Sequence, residues 1–194
     1  MWPDSDALPR LVRQTIRLTN ANVDRSRGHE KSGDSPVMKK ILTLPELAER
    51  AATLRAEGRR LVLTNGCFDL LHVGHVRNLQ QAAELGDCLA VAVNSDESVR
   101  ALKGSGRPLN SQEDRAEVLA ALGCVDFVTT FSELRAARVI EAVRPTIYVK
   151  GGDYTIDNLD PSEVAALESV GAEIQTVPLV PGKSTSSLIE KMRS

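Results

Sequence analysis

The chain has 194 residues, 42% hydrophobic and 26% charged, the balance of an ordinary globular protein and the length of one domain plus an appendage. Its formal net charge of −2 and pI near 6.0 provide no overall field for nucleic acid or an anionic membrane, so an anionic ligand must be held by a local site. Aromatics at 3% leave little for base-stacking platforms, and no apolar run approaches the ~20 residues of a membrane span. The three cysteines, Cys67, Cys88 and Cys124, form no CxxC pair and nothing at the start resembles a secretory apolar region, so a reduced, cytoplasmic protein is predicted. These features favour a small phosphorylated substrate over nucleic acid or membrane partners.

Residues 1–37 mix Pro, Gly, Ser, Asn and scattered charge with one weakly apolar patch over 11–18, a composition that predicts a disordered extension dispensable for folding. From residue 38 a domain running to 194 is predicted. Leu44, Leu47, Ala48, Ala51 and Leu54 fall on one face of a helix that Gly58 can end. Strands are predicted over 60–65, 88–93, 125–129, 146–150 and 173–177. Between and after them, helices are predicted over 74–84, 111–122, 133–143, 161–170 and 184–192, with helical turns reaching 102. Strands such as LVLTN, LAVAVN and TIYVK are nearly continuous apolar runs, as expected of strands covered on both faces. Alternating β and α segments with right-handed crossovers define an α/β fold, an open parallel sheet with helices on both faces. Ligands then bind beyond the carboxyl ends of the strands, so the loops leaving strands carry the information.

The first such loop reads Asn65-Gly66-Cys67-Phe68-Asp69-Leu70-Leu71-His72-Val73-Gly74-His75 and opens a helix. Two histidines three apart share a helix face, Gly74 between them lets a ligand approach the backbone, and the helix start offers N–H groups and a positive dipole end to phosphate. A pair of capping or half-buried histidines, or a two-histidine metal site completed by Asp or Cys, would leave the same trace.

The run NGCFDLLHVGH resembles the signature of the HxGH cytidylyl- and adenylyltransferase superfamily, and the similarity extends from about Leu61 to Arg193. The resemblance implies a five-stranded Rossmann-like single domain. It makes His72 and His75 phosphate contacts, and it places Asn65, Gly66, Cys67, Phe68, Asp69 and Gly74 at the nucleotide. Asp69 would orient the loop or face a phosphate through Mg²⁺, with an ordinary Asp turn as the rival.

Further loops match the same superfamily. Lys103 and Arg107, four residues apart in the glycine-rich KGSGRP segment, form a cationic arm able to close over phosphates, although composition alone describes a solvated loop. Ser111 and Asp114 give a helix-capping signal, and Arg115 behind it is either substrate-facing or an ordinary surface arginine. Lys150, Gly151, Gly152 and Asp153 follow a strand, where paired glycines let a flat base lie against backbone groups; a tight turn is the alternative. Lys183, Ser184, Thr185 and Ser186 precede the last helix and suit an anion nest, with Ser-Thr-Ser where the superfamily usually carries Ser-Thr-Thr. GKST there lacks the first glycine of a Walker A loop.

Within the superfamily, VNSDESVRALKGSGRPLN, VKGGDY and the closing STS pattern resemble the adenylyltransferase half of bifunctional heptose kinase/adenylyltransferases. The implied reaction moves AMP from ATP to D-glycero-β-D-manno-heptose 1-phosphate, giving ADP-heptose and pyrophosphate. A kinase half is missing from the sequence, which implies a stand-alone enzyme. A glycerol-3-phosphate cytidylyltransferase and a non-catalytic nucleotide sensor are the competing readings. An aminoacyl-tRNA synthetase is disfavoured by length and the lack of basic bias. The resemblance assigns catalysis to His72, His75 and Lys103, with Lys103 or Arg107 as the cation that follows charge onto leaving pyrophosphate. Lys183, Ser184 and Thr185 would hold the β and γ phosphates, Mg²⁺ would bridge phosphates with few protein ligands, and a homodimer is left open.

Overall fold

A strand that is apolar on both sides of its pleat is stable only where both sheet faces are covered. The computed structural model, which describes residues 35–152 and 159–178, has that arrangement. After a 3-10 turn at Met38–Lys40 come α1 (Leu44–Ala56), β1 (Leu61–Gly66), α2 (Val73–Ala83), β2 (Cys88–Asn94), α3 (Asp96–Lys103) and α4 (Gln112–Ala120). These are followed by β3 (Phe127–Phe131), α5 (Ala137–Val143), β4 (Ile147–Gly151), α6 (Pro161–Val170) and β5 (Glu173–Val177). The five strands pair in parallel in the order β3-β2-β1-β4-β5. The chain therefore winds outward from β1 in both directions, first to β3 and then to β5. The reversal places a crevice at the carboxyl ends of β1 and β4, the topological switch point.

Alternate side chains of each strand supply two cores. Leu61 and Leu63, Ala90 and Ala92, and Tyr148 pack with Leu47 and Leu54 of α1, Ile140 of α5 and Leu167 of α6. Val62, Leu89, Val91, Val93, Ile147 and Val149 face the other way, onto Leu79 of α2 and Leu119 of α4. This is the expected Rossmann-like sheet with helices on both faces. Thr43 begins α1 with a full capping box, accepting from the Glu46 N–H while Glu46 accepts from the Thr43 N–H at 2.8 Å. Gly58, at φ +72°, follows the helix end as expected.

Two elements start two or more residues later than predicted, for local reasons. Asp126 accepts the Leu89 N–H through its side chain at 2.8 Å and donates its own N–H to the Leu89 carbonyl at 2.9 Å, so β3 begins at Phe127 and not at Val125. The helix predicted from Glu133 begins at Ala137, because Ser98 donates to the Glu133 carbonyl at 2.8 Å and Glu163 accepts the Ala136 N–H at 3.0 Å. Those backbone groups serve the neighbouring elements.

At the start of the fold, Val37 packs against the α2 and α4 core, Leu42 donates to the Val128 carbonyl at 2.8 Å, and Lys40 reaches the Val125 carbonyl at 2.8 Å. Packed structure thus begins within the last residue of the stretch 1–37; residues 1–34 of that predicted extension lie outside the described residues. So do Asp153, the 183–186 loop and the helix predicted over 184–192. Among the described residues, no helix is long and apolar enough to cross a membrane. Cys67, Cys88 and Cys124 are free thiols.

Candidate active site

β1 delivers Asn65 and Gly66 to the crevice, and the turn beyond them folds back into α2. A Cβ on Gly66 would stand 3.0 Å from the Phe68 ring, so glycine is what lets this ring lie across the turn. Phe68 itself adopts φ +46°, a left-handed conformation uncommon outside glycine, and meets His75 edge-on at 5.4 Å between centroids. His72 caps α2, its Nδ1 accepting the Gly74 N–H at 3.1 Å. In a neutral imidazole that arrangement places the proton on Nε2 as a donor.

The His72 and His75 rings stack with centroids 3.9 Å apart and 22° between their planes. Burial, then the neighbouring His72 and Lys103, lower the His75 pKa to about 4; the Leu70 backbone opposes the shift, without reaching hydrogen-bond geometry at the buried Nδ1. His75 is therefore neutral near pH 7. Together the stacked rings form a half-buried edge of possible donors beside the first turn of a helix, with His75 uncharged, a setting that favours an entering phosphate.

The crevice is a cavity of about 600 Å³. Of the residues anticipated from sequence, Asn65, Gly66, Cys67, Phe68, Asp69, His75, Lys103, Lys150 and Gly151 line it. Gly74 is buried under the turn, and His72 stacks behind His75. Asn78 also faces the cavity, three residues after His75 on the same helix face, and its amide lies 2.8 Å from where a Gly151 Cβ would stand. Turned so that its nitrogen donates, Asn78 spans the Gly74 and Pro178 carbonyls at 3.2 and 3.3 Å. A side chain at Gly151 would therefore displace the Asn78 amide from this position.

Several anticipated roles change. Asp69 is 2% exposed and its Oδ1 accepts the Leu109 and Asn110 N–H groups at 2.6 and 3.3 Å. Its Oδ2 lies 2.9 Å from Arg107 Nη1, a contact of charges outside hydrogen-bond alignment. Asp69 is therefore a latch of the 107–110 loop, the loop-orienting one of the roles anticipated for it. For the same reason Arg107 is anchored within the loop, and Lys103, exposed at the end of α3, is the member of the expected arm that lines the cavity. Arg115 is neither substrate-facing nor on the surface. It is 2% exposed and ties the Cys67 carbonyl (2.6 Å), the Asn110 carbonyl (3.1 Å) and Asp96 (2.7 Å). The Gly152 N–H donates to the Val177 carbonyl at 2.9 Å, so it serves the sheet and is not offered to a base; the residue's φ of +119° is what calls for glycine.

Sequence reasoning overlooked the far wall, formed by Leu134, Arg135, Asp160 and Glu163 from the α5 and α6 side. Asp160 caps α6 and pairs with Arg135 at 2.7 Å; its bonds to Ser162 and then Arg135 lower its pKa to about 2. No cluster of three His, Cys, Asp or Glu among the described residues is built to hold a metal ion.

A parallel switch-point sheet with paired histidines at a helix mouth defines a nucleotide-phosphate-binding protein. The model of the cytidylyltransferase-like family matches residues 63–191. The chain belongs to the cytidylyltransferase-like family. It is 50% identical over 153 residues to the bifunctional protein HldE of Geobacter sulfurreducens, a match covering 79% of this chain and 31% of that protein. It is 52% identical over 155 residues to the protein of the same name in Geotalea uraniireducens, covering 80% and 31%. The chain thus matches about a third of the length of these relatives. Among solved structures, the lipopolysaccharide core biosynthesis protein from Thermoplasma volcanium is similar with a TM-score of 0.52 at 27% identity, over 63% of this chain and 98% of that one. Pantoate-beta-alanine ligase from Francisella tularensis, complexed with beta-gamma ATP and beta-alanine, shares the fold with a TM-score of 0.51 at 12% identity, covering 78% and 72%.

Proposed function

We propose that this chain is an adenylyltransferase that moves AMP from ATP to D-glycero-β-D-manno-heptose 1-phosphate, forming ADP-heptose and pyrophosphate. The observation that carries the reading is the stacked histidine pair at the α2 mouth, its His75 neutral, beside a cavity of about 600 Å³ at the switch point. The choice of acceptor draws its support from the relatives named HldE and from the neighbour named for lipopolysaccharide core biosynthesis.

An acceptor phosphate oxygen attacks the α-phosphorus of ATP, a new phosphorus–oxygen bond forms, and the bond to the β-bridging oxygen breaks with its electron pair leaving on pyrophosphate. The nucleophile is already anionic, so no protein base is required. Catalysis is positioning and charge stabilisation. His72 and His75 donate to phosphate oxygens whose charge grows in the transition state. Lys103 at the cavity rim follows charge onto pyrophosphate. Lys183, Ser184, Thr185 and Ser186, outside the described residues, are proposed to hold the β and γ phosphates, with Asp153 beside the nucleoside. Mg²⁺ is proposed to travel with the nucleotide, and the steps above run on protein groups alone.

Pyrophosphate release measured for ATP, CTP, GTP and UTP against heptose 1-phosphate and glycerol 3-phosphate tests the reading. ATP with heptose 1-phosphate should give the highest kcat/KM, because each base-edge group left unpaired costs about 1–3 kcal/mol. Preference for CTP with glycerol 3-phosphate would replace the proposal by a cytidylyltransferase acting through the same histidines.

A further inference from the structure

β1, β4 and α6 bring three polar side chains together in the lining of the cavity: Asn65, Lys150 and Glu163. Lys150 Nζ lies 3.1 Å from Glu163 Oε2, 3.4 Å from Glu163 Oε1 and 2.9 Å from Asn65 Oδ1. The Tyr148 hydroxyl stands 2.7 Å from Asn65 Oδ1 and 3.4 Å from Glu163 Oε1, the oxygen that also accepts the Ala136 N–H. The Lys150 side chain is 13% exposed and that of Glu163 3%. Burying an ion pair brings little net stability against an apolar replacement, whereas removing one partner strands the other's charge. A stranded cost of that kind in the lining of a ligand cavity, and not inside either core, points to a role in the site.

We propose that Glu163 is a positioning residue for the nucleotide: as the buried counterion of Lys150, it fixes a charged lysine at the carboxyl edge of β4, where an anionic group of ATP is received. This rests on the reading of the cavity as an ATP site. The charged groups around Lys150 set its protonation. Burial lowers its pKa, Glu163 and then Asp160 from the start of α6 raise it, and Arg135 from the turn before α5 lowers it. Lys103 of α3, His75 of α2 and Asp69 of the turn after β1 line the same cavity. Among the described residues, Glu163 is thus the principal group opposing loss of the Lys150 proton. A purely structural role, holding the Ala136 N–H, would need only an oxygen acceptor, which glutamine also supplies.

The full chain, Glu163→Gln, Lys150→Met and the double variant are compared by lysine side-chain NMR titration and by calorimetric ATP binding. The Lys150 signal, identified by its loss in Lys150→Met, should titrate below the ordinary lysine range and move lower still in Glu163→Gln. ATP affinity should fall by at least about tenfold in Glu163→Gln, the scale of a lost charge-assisted contact, and more steeply as pH rises. In the Lys150→Met background the same substitution should cost little more, because both changes remove one interaction. Full additivity, or an unmoved Lys150 titration, overturns the proposal and leaves Glu163 a cap on Ala136. If Glu163→Gln fails to fold, Glu163→Asp takes its place, and it must also lower the Lys150 titration for the proposal to stand. A wild-type chain that binds no ATP also overturns it, and in that case the titration still reports on the pair, so failure of the ATP reading is told apart from failure of the Glu163 role.

Discussion

His75 is neutral chiefly because it is buried, and this has consequences at two pH ranges. Near pH 7 the His75 ring adds no net charge of its own, so its contribution to transfer comes from an aligned donor. Replacing His72 or His75 with Ala should lower kcat by ~100- to 1,000-fold while circular dichroism stays unchanged, the usual cost of removing one preorganised donor to developing charge. Near-normal turnover in both variants would remove the motif from the mechanism. At lower pH the ring must gain a proton on unfolding. Its pKa rises from about 4 in the fold to the ordinary 6.5, so the unfolded chain binds the extra proton between these values. The stability His75 contributes is complete above about pH 6.5 and is lost as pH falls towards 4. Urea midpoints at pH 7 and 4.5 should therefore differ more for the wild type than for His75→Gln. Equal shifts would show that the ring is not held neutral.

The elements were legible where one physical rule decided them. The runs LVLTNG and CLAVAVN could only be strands covered on both faces, and the two cores take alternate residues from each. Starts were misread where a side chain from another element captured backbone groups, as Asp126 does with Leu89 at the start of β3. The near wall of the site was readable because its residues follow one strand in sequence. Asn78 could have been found from its spacing to His75 on the α2 face. Glu163 could not, since an acid in the first turn of a helix is ordinary at a dipole's positive end and only the packing of α6 against the cavity gives it another role. Arg115 was misread for the same reason: nothing local shows that α4 is pinned to the turn after β1 by its guanidinium. Arg115→Met should destabilise the protein by on the order of 3 kcal/mol, because the Asp96 charge and two carbonyls lose their partner. Urea denaturation measures this directly. Lost turnover at unchanged stability would instead restore Arg115 as a substrate contact.

At the scale of the whole molecule, strand order converts sequence order into a site. β1 and β4 are neighbours although two further strands intervene in the chain, so the histidine turn and the Lys150-Gly151 strand end meet across one crevice. α2 closes one side and the α5–α6 wall the other, giving separate surfaces against which a nucleotide and an acceptor can be aligned. The sheet's architecture is shared even with a ligase at 12% identity, so the fold alone does not choose the reaction. That choice rests on the histidine pair and on what the cavity accepts. The most direct measurement is ³¹P NMR of the full chain incubated with ATP and heptose 1-phosphate. The account predicts paired resonances of a nucleotide diphosphate sugar growing in step with free pyrophosphate. ADP together with a doubly phosphorylated sugar, or AMP and pyrophosphate with the sugar phosphate unchanged, would contradict it.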